Sequence, residues 1–286
     1  MRTIAFSMVL VGATAGCDVN SALEQVSEAR RLSADLLVQF TKAADTSNRA
    51  VMADTDEASV AFAREAEQAK LAAQTSIDAL GPILQGLKFS DEAGLLQEFV
   101  GQFAEYRELD RRILDLAVEN TNLKAQRLSF GPAQEAADAF RDSLESIAPA
   151  DAAKDTWRVK ALVAAAVANV REMQVLQAPH IAEADDAVMT RMEKRMATSE
   201  TAARAALETL APLVQPASRA RIAAATAALE KFVGLNAQIM ALSRRNTNVR
   251  SLALALNQNG KVSGVCEHSL QSLRDALAKR GFYGTR

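Results

Sequence analysis

Two cysteines, six prolines, twelve glycines and two histidines are nearly all this 286-residue chain has of the residues that staple, break or catalyse. Two cysteines cannot make a disulfide framework, and the absence of a C-x-x-C-H run excludes covalent haem attachment of the usual kind. Catalysis would need a nucleophile beside its base, or a paired acid and base, and neither His180 nor His268 sits in such a motif. A basic block is missing too. Lys and Arg number 33 against 35 Asp and Glu, a formal charge of −2, so nothing neutralises a phosphate backbone and nucleic acid is not an expected partner. Beyond the first residues no apolar run approaches the ~18 residues that span a bilayer; the closest, Leu162 to Val170, is closed off by Lys160 and Arg171. What is abundant is alanine. It loses no side-chain entropy on entering a helix, and with so few breakers the chain reads as all-α. Its length allows two domains, each able to bury a core.

The N-terminus reads as a targeting segment. Arg2 supplies a thin positive region, Ile4 to Val11 an apolar one, and Thr14-Ala15-Gly16 the small residues before a processing site. A cut before Cys17 resembles a bacterial lipoprotein signal, in which residues 1–16 leave and the cysteine carries a lipid into the membrane. Thr14 stands where such signals favour Leu. The alternative is an ordinary secretory signal cut near Ala13 or Ala15. Both readings export the chain, and Asp18 resembles an inner-membrane retention signal, so the expected location is periplasmic, anchored to the inner membrane.

From Ala22 to about Ala44, Leu23, Val26, Leu32, Leu36 and Phe40 recur at helical spacing, with an uncertain end at the turn-prone run Asp45 to Asn48. A second helix begins after Thr55 with Asp56 and Glu57, whose charges suit a helix N-terminus, and runs to Gly81-Pro82, which should kink or stop it. The third carries a heptad through Phe99, Tyr106, Leu109, Ile113, Leu116, Asn120 and Leu123. After a break at Gly131-Pro132, a fourth holds Ala136, Phe140, Leu144 and Ile147. The second half repeats this order. Leu210-Ala211-Pro212 answers Leu80-Gly81-Pro82 at an offset of 130, and Asn246-Thr247-Asn248 answers Asn120-Thr121-Asn122 at 246 − 120 = 126. The four-residue difference falls in the intervening turn, where a structural repeat tolerates a deletion. Pro179-His180 and Gly260 are expected interruptions, and Val265 to Ala278 the last helix. The expected architecture is two tandem antiparallel four-helix bundles, 17–150 and 151–286, stacked end to end if Ala150 to Asp155 continues as helix.

The repeated triplet is the main candidate site. Asn at a seam position costs stability unless its amide is satisfied, so one reading is a device that fixes register. The other is ligand binding. Lys124 and Arg250 each follow an Asn by four residues and put a cation beside Asn120, Asn122, Asn246 and Asn248, and Arg127 adds charge to the first copy only, where Ala253 stands in the second. A small organic anion would suit that set. The stripe Met173, Met189, Met192 and Met196 offers soft-metal ligands or, more commonly, core filling. Cys266 aligns with apolar Phe140 and reads as a buried thiol. No cofactor, metal or enzymatic activity is expected.

The run Thr55 to Phe62 (TDEASVAF), the helix through Tyr106 and the stretch ENTNLKAQRLSFGPA from Glu119 resemble the four-helix-bundle sensor domain of methyl-accepting chemotaxis receptors. The resemblance covers each half, more fully the first. It implies an all-α bundle that binds small molecules, commonly anions or amino acids, between its helices and often forms homodimers. The receptor's transmembrane and cytoplasmic signalling parts have no counterpart here, so information would pass through a membrane partner. The competing expectation is a structural or protein-interaction bundle with no small ligand.

Overall fold

The computed structural model describes residues 15–147 and 156–280, with side chains from residue 22 onward. The apolar part of the targeting segment, the Cys17 side chain and the linker question at Ala150 to Asp155 lie outside the described residues. Within them the chain is all-α, as expected, with no strand. The helices are α1 (Ala15–Val51), α2 (Asp56–Gly86), α3 (Ser90–Glu119), α4 (Thr121–Leu128), α5 (Gln134–Glu145), α6 (Thr156–Ala182), α7 (Asp186–Leu210), α8 (Arg219–Arg245), α9 (Thr247–Leu254) and α10 (Gly260–Lys279).

Helix starts follow the local chemistry. Thr55 Oγ1 accepts the Ala58 amide at 3.1 Å, and Asp185 Oδ1 accepts those of Ala187 and Val188 at 2.7 and 3.2 Å, which satisfies donors that have no partner inside the helix. The expected breaks behave differently. Helix α1 continues through Asp45 to Asn48, because Thr46 bonds back to the Lys42 carbonyl at 2.7 Å and Ser47 to a buried carboxylate. Pro82 and Pro179 are carried inside α2 and α6; both are exposed, so the missing amide hydrogen bond falls on a face that water can reach. At Gly131-Pro132 the chain passes from α4 to α5 through one π turn, Ser129–Ala133, and a second π turn, Ala255–Asn259, joins α9 to α10. The two π turns repeat at the triplet's own offset, 255 − 129 = 126.

The chain resolves into two compact units. One comprises the described residues of 1–49, 61–111 and 255–286, the other 50–60 and 112–254. The first core joins Leu36 and Phe40 of α1, Leu80 and Leu84 of α2, Phe99, Phe103 and Tyr106 of α3, and Cys266, Leu270 and Leu273 of α10. Phe40 is its hub, edge-on to Phe99 and Tyr106 at 5.8 and 5.0 Å between ring centroids. The second core joins Phe140 and Leu144 of α5, Val170 and Met173 of α6, Ala203 and Leu210 of α7, and Leu229, Phe232 and Ile239 of α8. Each core is a four-helix set, but the membership differs from the expected division at 17–150 and 151–286. α5 packs with the helices of the second half, and α10 with those of the first. The reason is local. The loops expected at Gly131-Pro132 and Gly260, which would fold each last helix back on its own half, are replaced by helix running on through a π turn.

Candidate functional site

The Asn-Thr-Asn triplets meet each other, within the second unit. Asn120 ends α3 and Asn246 ends α8 in the left-handed region, at φ 50° and 54°. Asn tolerates that conformation better than any residue except Gly. The backbone that resumes at Thr121 and Thr247 has unpaired amides, and each copy caps the other. Thr121 N donates to Thr247 Oγ1 and Thr247 N to Thr121 Oγ1, both at 3.1 Å. Asn122 N donates to Asn248 Oδ1 at 3.1 Å and Asn248 N to Asn122 Oδ1 at 3.2 Å. The amides close the ring, Asn122 Nδ2 to Asn246 Oδ1 at 2.8 Å and Asn248 Nδ2 to Asn120 Oδ1 at 2.9 Å. Asn122 Nδ2 and Asn246 Nδ2 also reach the carbonyls of Ile181 and Glu183, at 2.6 and 2.7 Å, near the end of α6.

The cations placed beside this set by sequence are engaged elsewhere. Lys124 Nζ returns to the Glu119 carbonyl at 2.7 Å, Arg127 pairs with Asp56 at 3.0 Å, and Arg250 is exposed. One buried donor, Asn120 Nδ2, is left without a partner. With Lys124 and Arg127 bonded elsewhere, a single donor is a weak clamp for an anion. The geometry of the six triplet residues is that of a reciprocal lock between two helix ends, which favours the register-fixing alternative.

A different arrangement in the second unit has the features of a binding site. Helices α7 and α8 stand apart around a cleft of about 510 Å³. Its floor is Met173 of α6, its walls Met196 of α7 with Asn236 and Met240 of α8, and one end is closed by Glu193 and Arg244. Asn236, Met240 and Arg244 recur at four and so share one stripe of α8. Asn236 is only 3% exposed. Its carbonyl accepts from Gln177 Nε2 at 2.9 Å, and Gln177 in turn accepts from Ser129 at 2.7 Å, so the amide is pinned. Among the described residues its Nδ2 meets only the sulfurs of Met196 at 3.6 Å and Met240 at 3.9 Å. Thioethers are weak acceptors, so a strong donor faces the cleft nearly unsatisfied.

The end wall is charged and tightly held. Arg244 grips Glu193 with Nε and Nη2 at 2.7 and 2.8 Å and reaches Asp186 at 3.0 Å. Hydrogen bonding to Arg244, and less to His180, holds the Glu193 carboxyl below its ordinary value of 4.5, against the opposing effect of burial. His180 is fully buried, with Nε2 3.0 Å from Glu193 and Nδ1 2.8 Å from Ser243 Oγ. This string has the residue types of a hydrolytic triad but not its arrangement. Ser243 is buried and its hydroxyl also donates to the His180 carbonyl at 2.7 Å, so it is not placed to act as a nucleophile.

The first unit carries the counterpart rung. Ser47 donates to Asp110, and Lys70 Nζ lies 2.6 Å from both Asp110 and Glu67. Burial, followed by the charge of Asp110, pushes the Tyr106 hydroxyl far above its ordinary range, so it stays a neutral phenol. Burial likewise pushes the Cys266 thiol up to about 12, with Glu105 and Glu267 adding to it, so Cys266 is an inert core thiol. Sequence reasoning missed Asp110, Lys70, Asn236 and Met240. A signal was present, since Asp110 and Asn236 occupy one repeat position (236 − 110 = 126) next to the heptad residues Leu109 and Leu235, and a polar residue in both copies points to a polar rung.

Neither family models nor curated proteins match this chain. Among the described residues no helix is long and apolar enough to cross a membrane.

Proposed function

We propose that this is a non-catalytic binding protein whose small-molecule site is the methionine-walled cleft between α7 and α8, not the Asn-Thr-Asn crossing. The observation that carries the reading is the Asn236 amide, pinned on its carbonyl side with its N–H bonds aimed at two sulfurs. A ligand oxygen, from a carboxylate or a neutral carbonyl, would replace thioethers with a proper acceptor, while its apolar body lay on the adaptable side chains of Met173, Met196 and Met240. The sensor-bundle resemblance and the expected N-terminal export signal fit such a role outside the cytoplasm, tethered through Cys17 and reporting to a membrane partner.

The test is a thermal-shift screen of the protein without its signal segment against short organic acids, their amides and amino acids. A compound that raises Tm in the wild type and in Asn120→Ala, but not in Asn236→Leu, supports the cleft. Loss of the shift in Asn120→Ala with retention in Asn236→Leu would return the site to the crossing. No shift with any compound would favour the second reading, a protein-interaction bundle. That reading draws on an apolar groove of about 640 Å³ between α5 and α6, floored by Phe140, Leu144, Val163 and Val167, with Trp157 exposed nearby.

A further inference from the structure

The Asn236 donor is paired with sulfur, and sulfur can be changed. Met196 is 2% exposed, while Met240 is half-buried and lines a cleft open to solvent. Oxidation of a methionine normally damages a core, because an apolar thioether becomes a polar sulfoxide that needs a donor. At Met240 the donor is already in place. Asn236 Nδ2 stands 3.9 Å from the sulfur, so an oxygen bonded to the sulfur on that side, pointing about 40° off the line to Nδ2, falls at the ordinary N–H···O separation of about 2.9 Å. Gln177 and Ser129 hold the amide in the orientation that such an acceptor needs.

We propose that Met240 is a reversible oxidation site whose sulfoxide is captured by the Asn236 amide. The oxidant is a hydroperoxide. Its O–O bond breaks, one oxygen is transferred to Met240 Sδ, which loses two electrons, and the remaining oxygen leaves as water or an alcohol. The other cleft methionines are less suited. Met173, at 1% exposure, is deeper, and Met196, at 2%, is about as buried although its sulfur is near Asn236. The inference stands on the cleft geometry alone and not on the ligand reading. If both hold, sulfoxide and ligand compete for one N–H group, and oxidation switches binding off.

The probe is dilute hydrogen peroxide on the protein without its signal segment, followed residue by residue by mass spectrometry, with exposed Met52 as the reference for free access and buried Met189 as the reference for protection. Met240 is expected to gain one oxygen after Met52 and well before Met189, and methionine sulfoxide reductase to remove it. Oxidised wild type is expected to keep its Tm, whereas oxidised Asn236→Leu loses roughly 2–4 °C or more for each kcal/mol of unmet sulfoxide. Met240→Leu, which needs no intact donor to fold, should show no peroxide effect at this position. The proposal is overturned if Met240 is as slow as Met189, or if its oxidation lowers Tm equally with and without the Asn236 amide.

Discussion

The two units place different chemistry at one repeat position. In the first, Asp110 lies between Ser47 and Lys70; in the second, the aligned residues are Asn236, Gln177 (177 − 47 = 130) and Glu200 (200 − 70 = 130). Small residues make the ionic version fit, since Ala43 and Ala66 stand where Met173 and Met196 stand in the second unit, and the Lys70 stem fills the space they leave. Every charge on that rung is paired. In the second unit the carboxylate has become an amide and the cation a glutamate, which pairs with Arg204 at 2.9 Å instead. The amide still accepts at its carbonyl, from Gln177, but gains an N–H donor that meets only sulfur. Loss of an ion pair, with methionine as filler, is what turns a closed rung into an open cleft.

The largest expected effect comes from opening the closed rung. Asp110→Ala strands buried Lys70 and should lower stability by about 3–5 kcal/mol, read from the urea midpoint. The double substitution Lys70→Met with Asp110→Asn, which replaces the ion pair by an apolar side chain and the amide of the second unit, should recover most of that loss, because no unpaired charge stays buried. If the double variant is no better than the single one, the rung is not a separable ion pair.

An intermediate effect is expected at the crossing, where the copies are equivalent rather than divergent. Thr121→Val and Thr247→Val should each cost about 1–2 kcal/mol by leaving a buried amide unpaired. Their combination should cost less than the sum by about 1 kcal/mol, since either change already breaks the shared ring. Strict additivity would mean that the triplets act independently.

The smallest effect is a pH dependence confined to the second unit's end wall. Glu193 is held below 4.5 in the fold, so its pairing stabilises the protein above that value and is lost as pH falls through the depressed folded value. Glu193→Gln should flatten the part of the Tm profile below about pH 4.5 that this group contributes, leaving Tm less sensitive to acid than in the wild type. An unchanged acid limb would place the acid-sensitive groups elsewhere, for instance at Glu92, a carboxylate of the first unit also held low by an arginine, Arg280.

Much of the architecture was legible in short-range pattern. Apolar spacing, alanine content, the helix start at Thr55 and the offset of 126 all report interactions within a few residues or a direct copy of them, and they sufficed for an all-α repeat with the triplet as its frame. The breakers misled. The exposed prolines at 82 and 179 leave their orphaned carbonyls to water, and a π turn absorbs Gly131-Pro132, so residues that look like stops lie inside helices. The site was hidden for a related reason: a charged or amide side chain within a heptad reads as surface until its partner is known, and Lys70 is 40 residues from Asp110, Gln177 59 from Asn236.

The sequence by itself therefore determined the helical class, most of the helices and their twofold repetition, because helix formation is settled locally; it ran the third helix through Asn120 to Leu123, where the structure turns left-handed at Asn120. Only the tertiary structure decided which four helices share a core, that the two triplets satisfy each other, and that one amide faces a cleft with nothing better than sulfur to bond. Those outcomes depend on which distant groups meet out of water, where an unpaired donor or charge is costly, and local periodicity carries no record of that pairing.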